Sequence, residues 1–101
     1  MFSIEKKSEG KNLSFALAGR LDTTTAPDLE KEVKDNIEGV ENLDFDFANL
    51  EYISSAGLRI ILSARKKMKS DNAVVIKGAS KEVRDIFEMT GFSSILDVSL
   101  L

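Results

Sequence analysis

The segment with the most chemical information covers residues 52–59 and reads YISSAGLR. Ser54 and Ser55 stand where a helix is predicted to begin, and one of them is explained by capping, since a serine oxygen there accepts a hydrogen bond from a free backbone amide. Capping does not explain why small residues continue through Ala56 and Gly57, because glycine inside a helix costs about 1 kcal/mol relative to alanine. The segment therefore predicts either a simple cap or a helix start that carries or binds phosphate at a serine.

Asp22 is a second candidate, and it follows residues 19–21 at the end of a predicted strand. If that strand lies beside the strand before Ser54, Asp22 and the serines share the sheet edge at which open α/β proteins usually bind ligands. Asp22 could then orient a serine hydroxyl or a kinase-bound metal ion. Alternatively, its carboxylate hydrogen-bonds the backbone of residues 23–25 and stabilises a turn. The sequence leaves both interpretations open.

Two further charged groups have simpler interpretations. Asp44 and Asp46 would share one face of a strand, where paired carboxylates can do acid–base chemistry or bind a hard metal ion. No third ligand is evident, which favours solvent-facing side chains and predicts no metal site. The other group is basic and is interpreted as the solvated end of a helix, where cations are favourable: Arg65, Lys66, Lys67 and Lys69.

Composition excludes several classes of function. The chain has 101 residues, enough for one domain, and contains no Cys and no His. This excludes disulfides, thiolate or imidazole metal sites and the common Ser-His-Asp and Cys-His nucleophiles. The net charge of −3 argues against nucleic-acid binding, and the sequence has no apolar run of about 20 residues for a membrane span. We predict one cytoplasmic domain over residues 1–101, which is not an enzyme, needs no cofactor and does not insert into a membrane.

Hydrophobic periodicity predicts the elements that position the candidate residues. Apolar residues that alternate or run continuously predict five strands, at about 2–7, 13–18, 43–47, 73–76 and 95–98. Apolar residues spaced by three and four predict three helices, at about 25–38, 55–69 and 80–90. Polar residues predict a turn at 8–12 and a connecting loop at 49–53, and Thr25 with Asp28 is typical of a capping box. The order β-β-α-β-α-β-α-β predicts an α/β fold with helices packed on a mixed sheet.

Three segments together resemble the STAS domain. Residues 19–22, followed by Thr25 and Ala26, resemble the G-x-L-D…T-A start of that family. Residues 46–50 with 52–58 resemble its D-S-S-G-L phosphorylation loop, and residues 83–92 resemble its V-x-x-x-F-x-x-x-G-[FL] ending. The likeness covers residues 2–95 and is greatest to the bacterial anti-sigma factor antagonists.

The resemblance implies a partner-switching regulator. Such an antagonist binds an anti-sigma factor that is a serine kinase, is released when the kinase phosphorylates it, and is reset by a phosphatase. The phosphorylated serine of the family falls on Ser55. Ser54 stands where the family has Asp and is therefore a rival acceptor, and Ala56 replaces the following Ser or Thr. The resemblance also implies a set of partner contacts: Asp22, Thr23, Thr24, Ser54, Ala56, Gly57, Leu58 and Arg59.

Two other functions stay open at this point. The chain could be a STAS accessory subunit of a lipid or solute transporter, which would form a stable complex without phosphate turnover. It could also be a metal-dependent protein that uses Asp22, Asp44 and Asp46, as in an aspartate-phosphorylated receiver, although the adjacent acidic pair that holds magnesium is missing. We expect a monomer or a weak dimer.

Overall fold

The computed structural model describes residues 2–68 and 74–90, together with the backbone of 99–100. Its elements follow the predicted order: β1 (Ser3–Glu9), β2 (Asn12–Leu21), α1 (Ala26–Asn36), β3 (Asn42–Ile53), α2 (Ser55–Lys67), β4 (Val74–Lys77), α3 (Lys81–Thr90) and β5 (Ser99–Leu100). The α/β class and the mixed sheet are confirmed. Several residues used in the predictions lie outside the described residues: Lys69, Gly91, Phe92, Ile95 and Val98.

The sheet has the spatial order β1-β2-β3-β4-β5. β1 and β2 form an antiparallel hairpin, and every later pairing is parallel. The predicted turn at 8–12 is shorter than expected, because Glu9 already pairs with Asn12 and only two residues connect the strands. Gly10 turns the chain there with a φ of +60°, a conformation that glycine adopts without a steric penalty.

The core lies on one face of this sheet. Alternate side chains of β2, β3 and β4 join buried residues from all three helices in one cluster. Its centre is a row of aromatic rings: the Phe15 and Phe45 centroids are 6.0 Å apart, and Phe47 follows at 6.2 Å. Phe87 of α3 completes the row at 6.5 Å from Phe47. The row ties the central strands to the last helix through apolar burial and ring contacts.

The predicted loop at 49–53 is wrong, since β3 continues to Ile53. Between Ala16 and Ala18 of β2 the partner residue advances from Asp46 to Asn49, so β3 carries an extra residue. A second shift lies between Gly19 and Arg20, where one step of β2 corresponds to two residues of β3, from Leu50 to Tyr52. Each bulge changes which residues face the core, and the simple alternation of 43, 45 and 47 gives way to buried Leu50 and Ile53.

Leu50 distinguishes a strand from a loop at this position. Its side chain is 3% exposed, so we expect Leu50→Ala to lower the free energy of unfolding by about 2–4 kcal/mol through lost burial and a cavity. Urea unfolding followed by circular dichroism measures this value. Glu51→Ala, at the exposed neighbouring residue, is the control and should change it by less than about 0.5 kcal/mol. Equal effects of the two substitutions would contradict the burial of Leu50.

Candidate functional site

The site lies at the carboxyl ends of the parallel strands β2 and β3. Leu21 and Ile53 are paired in the register. The amide of Ser54 donates to the carbonyl oxygen of Leu21 at 2.8 Å and extends the pairing by one step. Asp22 and Ser54 each follow directly on this pair, so the structure brings the two predicted segments to the same edge of the sheet.

The two serines have different environments. Ser54 is the N-cap of α2, with an extended backbone, and its Oγ accepts from the amide of Gly57 at 3.4 Å. Its carbonyl oxygen accepts from the amide of Leu58 at 3.0 Å. Ser55 is the first residue of the helix; it is exposed, and its hydroxyl makes no hydrogen bond to the described part of the chain. Capping therefore accounts for Ser54 and leaves the hydroxyl of Ser55 accessible.

The packing of α2 on the sheet leaves no room for a side chain at Gly57. A Cβ atom there would lie 2.7 Å from Cγ of Leu21 and 3.0 Å from Cγ1 of Ile53. The first turn of α2 therefore packs directly on the ends of β2 and β3. Packing against the sheet is therefore the reason for the small residue at position 57, which capping did not explain.

The predicted partner contacts divide by burial. Leu58 is 1% exposed and Gly57 is buried, so neither lies on the surface of the chain as a direct contact requires. Ala56 is half-buried against the core. Three members of the predicted set are exposed, namely Thr23, Thr24 and Arg59, and three are partly exposed, namely Asp22, Ser54 and Ala56.

Asp22 organises the turn that leads into α1. Its Oδ1 accepts from the hydroxyl of Thr24 at 2.7 Å, from the amide of Thr24 at 3.0 Å and from the amide of Thr25 at 3.2 Å. These donors, the Thr24 hydroxyl first, hold the pKa of Asp22 below its ordinary value of 3.8, against a smaller opposing effect of burial. The turn interpretation of Asp22 is thus confirmed. Neither serine hydrogen-bonds to it within the described residues.

Thr25 is the N-cap of α1, but its side chain does not cap the helix. Its hydroxyl donates to the carbonyl oxygen of Arg20 at 2.8 Å and accepts from the amide of Asp22 at 2.8 Å. The predicted capping box of Thr25 with Asp28 is therefore wrong. The hydroxyl of Thr25 forms hydrogen bonds within the turn and does not cap the helix. The same bonds tie the turn to the last residues of β2.

Arg20 and Tyr52 form a pair that the sequence analysis did not identify. They are partners in the β2–β3 register, and the guanidinium carbon of Arg20 lies 4.4 Å from the centroid of the Tyr52 ring. Such a cation–π contact holds an arginine over an aromatic face. The sequence shows that Arg20 and Tyr52 lie just before Asp22 and Ser54. It does not show that they are paired, because the pairing depends on the register between β2 and β3.

Asp44 and Asp46 have partners of their own. Asp44 lies 3.6 Å from Nζ of Lys77 on the neighbouring strand, and Oδ1 of Asp46 accepts from the amide of Ala48 at 2.9 Å, next to the first bulge. Within residues 2–68 and 74–90, no three Asp, Glu, Cys or His side chains are grouped to hold a metal ion. In the same part of the chain, no helix is long and apolar enough to cross a membrane.

Comparisons with known proteins agree on one family. The STAS domain family model matches residues 3–100. BtrV of Bordetella bronchiseptica, whose name describes an anti-sigma factor antagonist, is 34% identical over 89 residues, which is 86% of this chain and 77% of BtrV.

Solved structures share the fold. An anti-sigma factor antagonist from Mycobacterium paratuberculosis has a TM-score of 0.85 at 18% identity, over 98% of this chain and 86% of its own. The Bacillus cell fate determinant SpoIIAA in its phosphorylated form has a TM-score of 0.71 at 16% identity, over 100% of this chain and 91% of its own.

Gly57→Ala tests the close packing of α2 on the sheet. We expect this substitution to lower the free energy of unfolding by about 1–3 kcal/mol, because the added methyl overlaps Leu21 and Ile53. The better helix propensity of alanine opposes this by about 1 kcal/mol. Urea unfolding provides the measurement, with Ser63→Ala on the exposed face of α2 as the control. A Gly57→Ala variant that is more stable than the parent would show that the helix has room to move outward.

Thr24→Val tests the cause of the lowered pKa of Asp22. Loss of the hydroxyl removes the shortest hydrogen bond to the carboxylate, so the pKa of Asp22 should rise toward its ordinary value. The carboxyl resonance of Asp22, followed by NMR against pH, reports this directly. Thr23→Val is the matched control, because Thr23 makes no hydrogen bond to the carboxylate.

The same hydrogen bonds predict an effect on stability. Because the folded-state pKa is lowered, their contribution is present above the ordinary value of 3.8 and is lost as the pH falls below it through the lowered value. Asp22→Asn should therefore make the free energy of unfolding less dependent on pH in this acidic range. If the Asp22→Asn variant showed the same pH dependence of the free energy of unfolding as the parent, the Asp22 carboxyl would have the same pKa in the folded and unfolded chain.

Proposed function

We propose that this protein, which belongs to the STAS domain family, acts as an anti-sigma factor antagonist controlled by phosphorylation of Ser55. In the unmodified state it binds an anti-sigma factor that is also a serine kinase. Phosphate transfer to Ser55 ends the interaction, and a phosphatase restores the binding form. The name of BtrV supports the regulatory class, and the phosphorylated form of SpoIIAA supports control by phosphate in a protein of this fold.

The accessible hydroxyl of Ser55 is the observation that carries this proposal. A kinase must bring its nucleotide to the accepting oxygen, which requires an exposed side chain in a defined position. Ser55 meets this requirement at the first residue of α2. Ser54 is the weaker acceptor, because its oxygen already accepts from Gly57 and its side chain is half-buried. Phosphate on Ser54 would also require this capping contact to rearrange.

The surface around Ser55 supports a protein partner. The Asp22 turn, with Thr23 and Thr24, lies at the same sheet edge, and Arg59 is exposed one turn further along α2. A phosphate there adds bulk and about −1.5 to −2 charges at the centre of the contact. Removal of a charge from water costs several kcal/mol per ion, and 1.4 kcal/mol is already tenfold in affinity. The modification can therefore end the complex without a change of fold.

In this function the chain is the substrate of the kinase and is not itself an enzyme. The proposed place of action is the cytoplasm, where bacterial transcription occurs. A monomer or weak dimer stays our prediction for the isolated chain.

Intact-mass analysis tests the acceptor. The chain is coexpressed with candidate anti-sigma kinases from the same genome, and we expect one added phosphate that maps to Ser55. Ser55→Ala should abolish it, while the matched Ser54→Ala should retain it. Phosphate that persists in Ser55→Ala and disappears in Ser54→Ala would overturn the assignment. A stable complex with a transporter ATPase and no phosphate would instead support the accessory-subunit function.

Ser55→Asp tests the switch. We expect its affinity for the cognate kinase to fall by at least about tenfold, because a carboxylate then stands at the centre of the contact. Isothermal titration calorimetry measures the dissociation constant. Ser63→Asp is the matched control, since it adds the same charge to an exposed position two turns along α2. If Ser55→Asp binds as tightly as the parent, charge at this position does not control the complex.

A further inference from the structure

Arg59 has no assigned partner in the unmodified chain. Its side chain is exposed on α2, and it forms no ion pair or hydrogen bond with the described residues. It lies four residues after Ser55 on the same helix, and side chains with this spacing are neighbours on one helix face, with Cβ atoms about 5–6 Å apart. A cation is therefore within reach of the hydroxyl that the proposed function modifies.

We infer that Arg59 binds the phosphate of phosphorylated Ser55. This inference rests on the proposed function and concerns the regulation of the same site. A guanidinium group donates hydrogen bonds in a planar fork that matches two phosphate oxygens, and such charge-assisted bonds are stronger than neutral ones. The spacing of Ser55 and Arg59 provides this pairing within one helix turn.

Other charged groups lie near the same sheet edge, but Arg59 is the cation best placed to bind a phosphate on Ser55. Arg20, at the same edge, is held over the ring of Tyr52. Asp22 directs Oδ1 into its own turn, and Glu51 is an exposed carboxylate on β3. None of these groups shares a helix face with Ser55, whereas Arg59 does so by its position in the sequence.

Pairing of Arg59 with the phosphate changes the surface that the partner protein contacts. In the unmodified chain, Arg59 and the Ser55 hydroxyl are both available at the surface. In the phosphorylated chain, Arg59 is engaged by the phosphate, so one modification withdraws two contacts. The phosphate is also held against the first turn of α2, and the helix keeps its position. The switch then acts through surface charge without local unfolding.

The test uses the full chain with phosphoserine incorporated at position 55 during synthesis, so that no kinase is required. The second ionisation of the phosphate, near pH 6 in phosphoserine, is followed by phosphorus NMR in the parent and in Arg59→Gln. A nearby cation favours the dianion. Loss of Arg59 should therefore raise the proton affinity of the phosphate roughly twofold and move the midpoint to higher pH.

Two control variants make the result specific. Lys66→Gln removes a cation from the far end of α2, three turns from Ser55, and should leave the midpoint unchanged. Arg59→Lys keeps the charge but loses the planar fork, so its midpoint should lie between those of the parent and Arg59→Gln.

The inference is overturned if Arg59→Gln leaves the midpoint unchanged, or if Lys66→Gln moves it equally. It is supported if only the Arg59 variants move it. Amide NMR spectra of each variant show whether the fold is retained. This result is independent of kinase recognition, so failure of the proposed function would be read separately, as absence of enzymatic phosphate at Ser55 in the mass analysis.

Discussion

The parallel pairing of β2 with β3 is the constraint on which the site depends. It sets Leu21 beside Ile53, and the amide of Ser54 then donates to the carbonyl oxygen of Leu21 at 2.8 Å. Gly57 allows the first turn of α2 to pack on the same two side chains. Because backbone pairing and side-chain packing meet at one point, the helix start and the Asp22 turn have a defined relative position.

This constraint divides the roles of the two serines. The last residue before the helix must satisfy a free amide, and Ser54 does so through its side-chain oxygen. The next residue begins the helix with its side chain directed to solvent. An exposed hydroxyl on a helix start that packs directly on the sheet suits the proposed modification, because an added phosphate would change the surface charge without requiring the backbone to move.

Local patterns made much of the fold predictable. Alternation in β2 and in the first half of β3, and the three- and four-residue spacing in the helices, come from geometry within each element, and the predicted order of elements is the observed one. The connection assigned to 49–53 failed because two bulges move Leu50 and Ile53 onto the core face. A bulge is defined against a neighbouring strand, so periodicity within one segment cannot reveal it.

The sequence by itself determined that two serines and a glycine stand at a helix start, that Asp22 follows a strand, and that thiol and imidazole chemistry are excluded because the chain contains no Cys and no His. The tertiary structure decided which serine caps the helix, that Gly57 and Leu58 belong to the core, and that Arg20 lies over Tyr52. The burial of Gly57 against Leu21 and the contact of Arg20 with Tyr52 depend on residues distant in the chain, whereas the Ser54 cap is a local bond whose place is set by where α2 begins. Residue type and spacing limit what a side chain can do, while the packing of β2, β3 and α2 determines which side chains reach the surface.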